Sequence, residues 1–222
     1  MASFDAGAYD YSVDASASRT LSFTIGGSAN YLHVMIGAQS TPANVKWNGV
    51  SMSLVETRTT PSSYEIYHYK LDNPDTGAHS LGYDVAAGFD TSFVLAASAV
   101  DANLADPIRG YAEQYGTNGA SPFTKVPSGN VSGDLMLMFA ADLDTFSGSH
   151  AAASGSTQIG STDTRGLGVY KVSTGTSDSL GVTFTSEMVG FLTGAVALKG
   201  AGASGGKATA HYAHHILNGR RF

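Results

Sequence analysis

The chain has 222 residues, 42% of them hydrophobic and only 14% charged, with a formal net charge of −6 and no cysteine. That length and apolar content can bury a sizeable core. The lack of cysteine excludes disulfides, thiolate metal sites and cysteine nucleophiles, and the thinly spread Lys and Arg argue against phosphate-backbone binding.

Residues 1–17 are small, polar and acidic, with Asp5, Asp10 and Asp14, the composition of an N-terminal arm. The first residues show neither the basic nor the apolar segment of a secretory leader, and Ser, Thr, Gly or Asp interrupts every apolar run before it reaches membrane-spanning length. Leu21, Phe23 and Ile25 alternate with Ser22 and Thr24, which predicts a half-buried strand. Tyr31 to Ile36 is a more continuous apolar run, as an inner strand would be. Asn48-Gly49 between strand-like flanks predicts a type I′ hairpin, because that turn needs positive φ at both positions. Met52, Leu54 and Val55 continue the return strand. In Tyr64 to Leu71 the residues Tyr64, Ile66 and His68 fall on one face and Glu65, Tyr67 and Tyr69 on the other. Asn73-Pro-Asp-Thr-Gly77 is turn chemistry, followed by strands over Leu81 to Val85 and Phe93 to Val100, then a loop from Asp101 to Gly110. Gly133 to Ala140, Leu167 to Val172, Leu180 to Phe184 and Met188 to Leu198 complete the set. About ten short strands without helical periodicity predict an all-β, two-sheet antiparallel jelly-roll sandwich over 18–199. Gly200 to Gly206 is a flexible linker by composition, leading to a tail at 207–222.

Several of these landmarks resemble a family of jelly-roll domains found in bacterial surface proteins and tailed-phage virion proteins. The matching pieces are Trp47-Asn-Gly-Val-Ser-Met-Ser-Leu-Val55, Tyr69-Lys-Leu-Asp-Asn-Pro-Asp-Thr-Gly-Ala-His79, Ala99-Val-Asp101 followed by Asp106-Pro-Ile108, and Gly133-Asp-Leu135. The resemblance implies a fold and an accessory, adhesive or decorative role, and it brings no catalytic residues with it. Surface-protein members usually follow a signal peptide, whereas this chain starts almost at the domain. The expectation is therefore a virion protein, made in the host cytoplasm without a signal peptide.

Candidate chemistry is sparse. Asp142 and Asp144 have the spacing of the first ligands of a calcium loop, and Asp72 and Asp75 share a turn, but neither pair is followed by the Gly and distant Glu of an EF-hand. Both read as carboxylates capping their own turns. No Gly-x-Ser-x-Gly elbow and no Walker A sequence is present. Tyr64, Tyr67 and Tyr69 could make a sugar platform if exposed, or fill a sandwich core. His211, His214 and His215 lack a third ligand or an intervening Glu, so they read as polar contacts of a docking segment.

The tail is the most informative segment outside the core. If Ala208 to Leu217 is helical, Tyr212, Ala213, Ile216 and Leu217 share a stripe, and Asn218-Gly219 is a fitting stop. So short a helix needs a surface to lie on. Lys207, Arg220 and Arg221 give the tail +3 and leave −9 on the rest. The expected partner-binding residues are Tyr212, Ile216, Leu217, Arg220, Arg221 and Phe222. The expectation is a non-enzymatic virion structural protein of a tailed phage, a capsid decoration (cement) or head or tail accessory protein, with no cofactor and no metal. Its partners would be other copies of itself, with a trimer anticipated, and a capsid or tail protein, and neither nucleic acid nor membrane. The alternative is a carbohydrate-binding or adhesion module with a glycan as partner.

Overall fold

The structure, a computed structural model, describes residues 1–12, 17–86, 91–119, 121–143, 149–153, 155–163, 165–185 and 188–202. Among them every regular element is a β-strand. In chain order these are β1 (Ser3–Ser12), β2 (Ser18–Ile25), β3 (Tyr31–Ala38), β4 (Ala43–Trp47), β5 (Val50–Ser51), β6 (Ser53–Thr59), β7 (Glu65–Asp72), β8 (Gly77–Asp84) and β9 (Ser92–Val100). They continue as β10 (Ile108–Gly119), β11 (Phe123–Lys125), β12 (Leu135–Asp142), β13 (His150–Ala152), β14 (Thr157–Asp163), β15 (Gly166–Val172), β16 (Leu180–Phe184) and β17 (Met188–Leu198).

The expected antiparallel jelly-roll sandwich is there, but as two rolls with four sheets in place of the single two-sheet roll expected over 18–199. One five-stranded sheet runs β1-β9-β3-β7-β6 and faces the four-stranded β2-β8-β4-β5; the other runs β10-β17-β12-β15-β14 and faces the three-stranded β11-β16-β13. Writing β10 for β1, β17 for β9, β12 for β3, β15 for β7 and β14 for β6 turns the first large sheet into the second, and β11, β16 and β13 likewise replace β2, β8 and β4. The correspondence extends to register. Tyr31 lies between Ala99 and Asp72 as Leu135 lies between Leu198 and Val172. Both first strands carry a register shift at the same place, between Phe4 and Ala6 and between Ile108 and Gly110.

Each roll has its own core. Leu32, Val34, Ile36, Trp47, Tyr67 and Leu81 fill the first, and Met136, Met138, Leu167, Val182 and Ala195 fill the second. A third core, the seam, joins the two large sheets face to face through Tyr31, Met35, Ile66, Phe93, Leu95, Leu137, Phe139 and Leu192. Each large sheet is therefore buried on both faces, which is why β3 and β12 are buried from end to end. Across the seam β1 lies on β14 and β15. On the other side, Tyr111 and Glu113 of β10 meet His68 of β7 and Arg58 of β6. The relation is that of a twofold axis.

The N-terminal arm expected over 1–17 is corrected by this arrangement. Residues 3–12 form β1, the edge strand of a large sheet, paired with β9 from Ser3 to Ser12. The Asp5 carboxylate fixes its bulge by accepting from the Gly26 amide at 2.8 Å and the Ser98 hydroxyl at 2.7 Å. The Asn48-Gly49 hairpin has positive φ at both residues, 47° and 79°, as the sequence requires. Residues 101–107 connect the two rolls and run beside the exit of the second, where Asn103 N donates to Lys199 O and Ala201 N to Asp101 O.

Candidate functional site

Two places each gather polar side chains into one patch. The first is the outer face of β2-β8-β4-β5. Alternation on β2 sends Leu21, Phe23 and Ile25 to the core and leaves Ser18, Thr20, Ser22 and Thr24 outside. Register places Asp84, Gly82, Ser80 and Ala78 opposite those four, with Lys46 of β4 on the other side of Gly82. The face holds two shallow adjoining recesses of about 380 and 320 Å³ that share Ser80. Asp84 accepts from Asn44 Nδ2 at 2.6 Å and Ser18 Oγ at 2.7 Å. These two donors, Asn44 foremost, hold its carboxyl below the usual range. Gly82 is the floor, since a Cβ there would come no closer than 4.0 Å to another atom. Hydroxyls, an amide, a carboxylate and an ammonium over an open floor suit a ligand rich in hydroxyl groups.

The second place is inside the seam. His33 and His68 are each 1% exposed, and His33 Nε2 lies 3.1 Å from His68 Nδ1. The Tyr31 hydroxyl lies 3.4 Å from His33 Nδ1. If Tyr31 donates to His33 and His33 Nε2–H donates to His68 Nδ1, both rings are in their neutral Nε2–H forms and both nitrogens of His33 are satisfied. His68 in turn packs edge-to-face with Tyr111 from the second roll, ring centroids 4.6 Å apart, and Arg58 sits over the same Tyr111 ring at 5.5 Å while bonding Glu113 at 2.6 Å. Burial drives the basicity of His33 down, to a pKa of about 3, and lowers that of His68 as well, with the neighbouring His33 and Arg58 adding to it. Burial also raises the pKa of the Tyr31 phenol.

The chain has no match among family models, curated proteins or solved structures. Its reading therefore rests on its own residues.

All six expected partner-binding residues, Tyr212, Ile216, Leu217, Arg220, Arg221 and Phe222, lie outside the described residues, as do His211, His214 and His215. Asp144 does too, while its neighbour Asp142 is buried at the end of β12. Asp75 acts within the fold, accepting from Asn48 Nδ2 at 3.0 Å through its carboxylate and from Trp47 Nε1 at 2.9 Å through its carbonyl. Asp72 takes the Lys70 ammonium at 3.0 Å. Tyr67 and Tyr69 are core residues of the first roll, and Tyr64 packs half-buried against the seam, so no sugar platform forms there. Among the described residues no three His, Cys, Asp or Glu side chains gather around a common point.

Sequence reading missed the histidine pair and the hydroxyl face. Both had signals: a histidine inside the apolar run Tyr31 to Ile36, another on the Ile66 face of β7, and the Ser/Thr alternation of β2. Neither signal identifies a partner strand, and pairing is what makes the sites.

Proposed function

We propose that the protein is a structural component of a tailed-phage particle, a capsid decoration protein or a related head or tail accessory protein, which binds neighbouring subunits and stabilises the particle. The observation that carries this reading is that Met1 and Gly202 lie together on a body of interlocked sheets. Three contiguous cores tie four sheets into one unit, and Met1, Ser132, Gly133 and Gly202 line a single small recess. Ala102 bridges Gly200 in the same region. A double roll with Met1 and Gly202 at one pole can be fastened at that pole and present its remaining surface. The tail's +3 against −9 elsewhere makes another copy an electrostatically sensible partner. Anything that binds only the assembled lattice stabilises it by mass action.

Deleting 207–222 tests this. Thermal unfolding of the body is expected to stay within about 1–2 °C of the full chain, since the described residues of the three cores all precede the deletion. Sedimentation should show weaker self-association, and co-sedimentation with particles weaker binding. A truncated chain that associates as well as the full one sinks the docking role of the tail.

The hydroxyl face supports a second reading, a carbohydrate-binding or adhesion module. Gly82→Val would fill the floor of the recess without touching the core, because the space above it is open. Affinity electrophoresis through glycan-containing gels should then lose any retardation seen for the native chain, at unchanged thermal stability. Equal retardation of the two proteins, or none for either, counts against this reading.

A further inference from the structure

The two halves of the seam are built from corresponding strands and closed by opposite means. On the β1 side, Gly166 and Gly168 let the sheets touch: a Cβ on Gly168 would stand 2.6 Å from Leu95 Cδ1 and 3.2 Å from Tyr9 Cβ. Phe4 stacks on Tyr170 there at 4.0 Å. Register makes Gly168 the counterpart of His68, Leu137 that of His33, and Gly7 that of Tyr111. Where one half has two glycines and a leucine, the other has two histidines and a tyrosine. The first half is dry contact; the second is a buried polar chain.

We propose that the histidine half of the seam is an acid-operated joint: protonation of the His33–His68 pair lifts β6 and β7 away from β10 and admits water, while the glycine half stays shut. The neutral chain from Tyr31 through His33 to His68 has one proton per contact. A proton added to His68 Nδ1 would face the Nε2–H of His33 across 3.1 Å, donor against donor. Added to His33 Nδ1, it would force the Tyr31 hydroxyl to turn around, and the new charge would lie in a nearly water-free space.

The groups that face the pair do not offset that charge. From β6, Arg58 repels a protonated His68 and already holds Glu113 of β10. Glu56 lies opposite His68 in register, and its charge acts on Arg58 and Tyr111. From β7, Lys70 lies opposite His33 and is bound to Asp72. Tyr111 of β10 packs edge-to-face with His68 while Arg58 already lies over its ring, and Ala97 of β9 offers nothing polar.

The sign follows from which form binds protons. The closed seam holds both rings neutral, and the open seam returns them to water with an ordinary pKa near 6.5. Closure is therefore fully favoured above about pH 6.5 and loses ground as the pH falls toward the depressed value of the closed form, about 3 for His33. With two rings protonated only when open, the opening constant should rise about a hundredfold per pH unit below 6.5.

Hydrogen exchange of the full chain at pH 7.5 and pH 5.0, each corrected for the intrinsic rate, reads this directly. Peptides from 53–72 and 108–116 should lose protection at pH 5.0, while those from 3–12 and 157–172 keep theirs. His68→Asn retains an acceptor for His33 and removes one titrating ring, so it should reduce the dependence to about tenfold per pH unit. His33→Leu/His68→Leu should abolish it. Uniform loss of protection across both halves, or no loss, overturns the joint. So does a His68→Asn protein with the native pH dependence, a result that decides the matter even if the double variant does not fold.

Discussion

Replacing Phe139 by alanine is expected to destabilise the protein by about 3–5 kcal/mol, and to do so for both rolls at once. Phe139 lies on β12, fully buried and facing the seam. Its ring occupies space vacated by glycines of both rolls. A Cβ on Gly194 of the second roll would meet Phe139 Cε1 at 2.9 Å, and one on Gly37 of the first would meet Cζ at 3.4 Å. Glycines have no side chain to move into the space left by the ring, so most of the cavity would persist, and persisting volume sets the upper part of that range. Trp47, the sole tryptophan, sits in the separate core of the first roll and reports on that roll alone. Urea unfolding followed by Trp47 fluorescence and by far-UV circular dichroism should give coincident transitions, shifted equally by Phe139→Ala. If the fluorescence midpoint stays put while the dichroism midpoint moves, the rolls fold independently and the seam is not a shared core.

Every strand that pattern reading missed is a sheet edge, although two other edges, β2 and β6, were recovered from the apolar alternation of Leu21, Phe23 and Ile25 and from Met52, Leu54 and Val55. β3, β7, β8, β9, β12, β15, β16 and β17 are interior to their sheets and carry enough apolar side chains to stand out, as do the paired segments around Trp47. β1, β10, β11, β13 and β14 are sheet edges. Their sequences, such as Ser-Phe-Asp-Ala-Gly-Ala-Tyr-Asp-Tyr-Ser for β1, are diluted with Asp, Gly and small residues, because an edge strand lacks a neighbour on one side and avoids an apolar profile. Asp101 to Gly110 read as a loop, and β10 takes over its last residues from Ile108.

The duplication was hidden for a different reason. Register superposes Tyr31–Ala38 on Leu135–Asp142, and no residue of one recurs at its counterpart in the other. What is shared is the facing of each position: Leu32 and Met136 point into their own rolls, Tyr31 and Leu135 into the seam. Any apolar side chain of suitable volume meets that requirement. Burial on both faces also erases the period of two, so strand direction and face cannot be read from such runs. The hydroxyl face and the histidine pair share this fate, since each needs strand pairing to exist. A histidine in an apolar run is legible; that His33 ends 3.1 Å from His68 depends on the β3–β7 register.

Asp134→Ala is the second large loss, about 2–4 kcal/mol. Arg109 is the extra residue of the register shift that opens β10, as Asp5 is in β1. Each bulge thus turns a charged side chain toward a fixed partner. Arg109 donates to Asp134 through Nε at 2.6 Å and Nη2 at 3.2 Å, a two-pronged contact, and Asp134 also accepts from the Val131 amide at 2.9 Å. The Asp134 side chain is fully buried, whereas that of Arg109 is 20% exposed. Removing the carboxylate leaves a guanidinium that water reaches only in part and an amide without its acceptor, which is why the loss falls at or below the lower part of the range for breaking a buried pair. Asp134→Asn keeps an acceptor and the shape, and should lose about half as much. The double variant Arg109→Met/Asp134→Leu should recover much of the deficit, because it removes the stranded charge along with its partner. Urea is the denaturant for this series, since a guanidinium salt would screen the pair. If Asp134→Ala unfolds within about 0.5 kcal/mol of the native chain, the Gly133-Asp-Leu135 landmark owes nothing to its aspartate and the pair is incidental to the bulge.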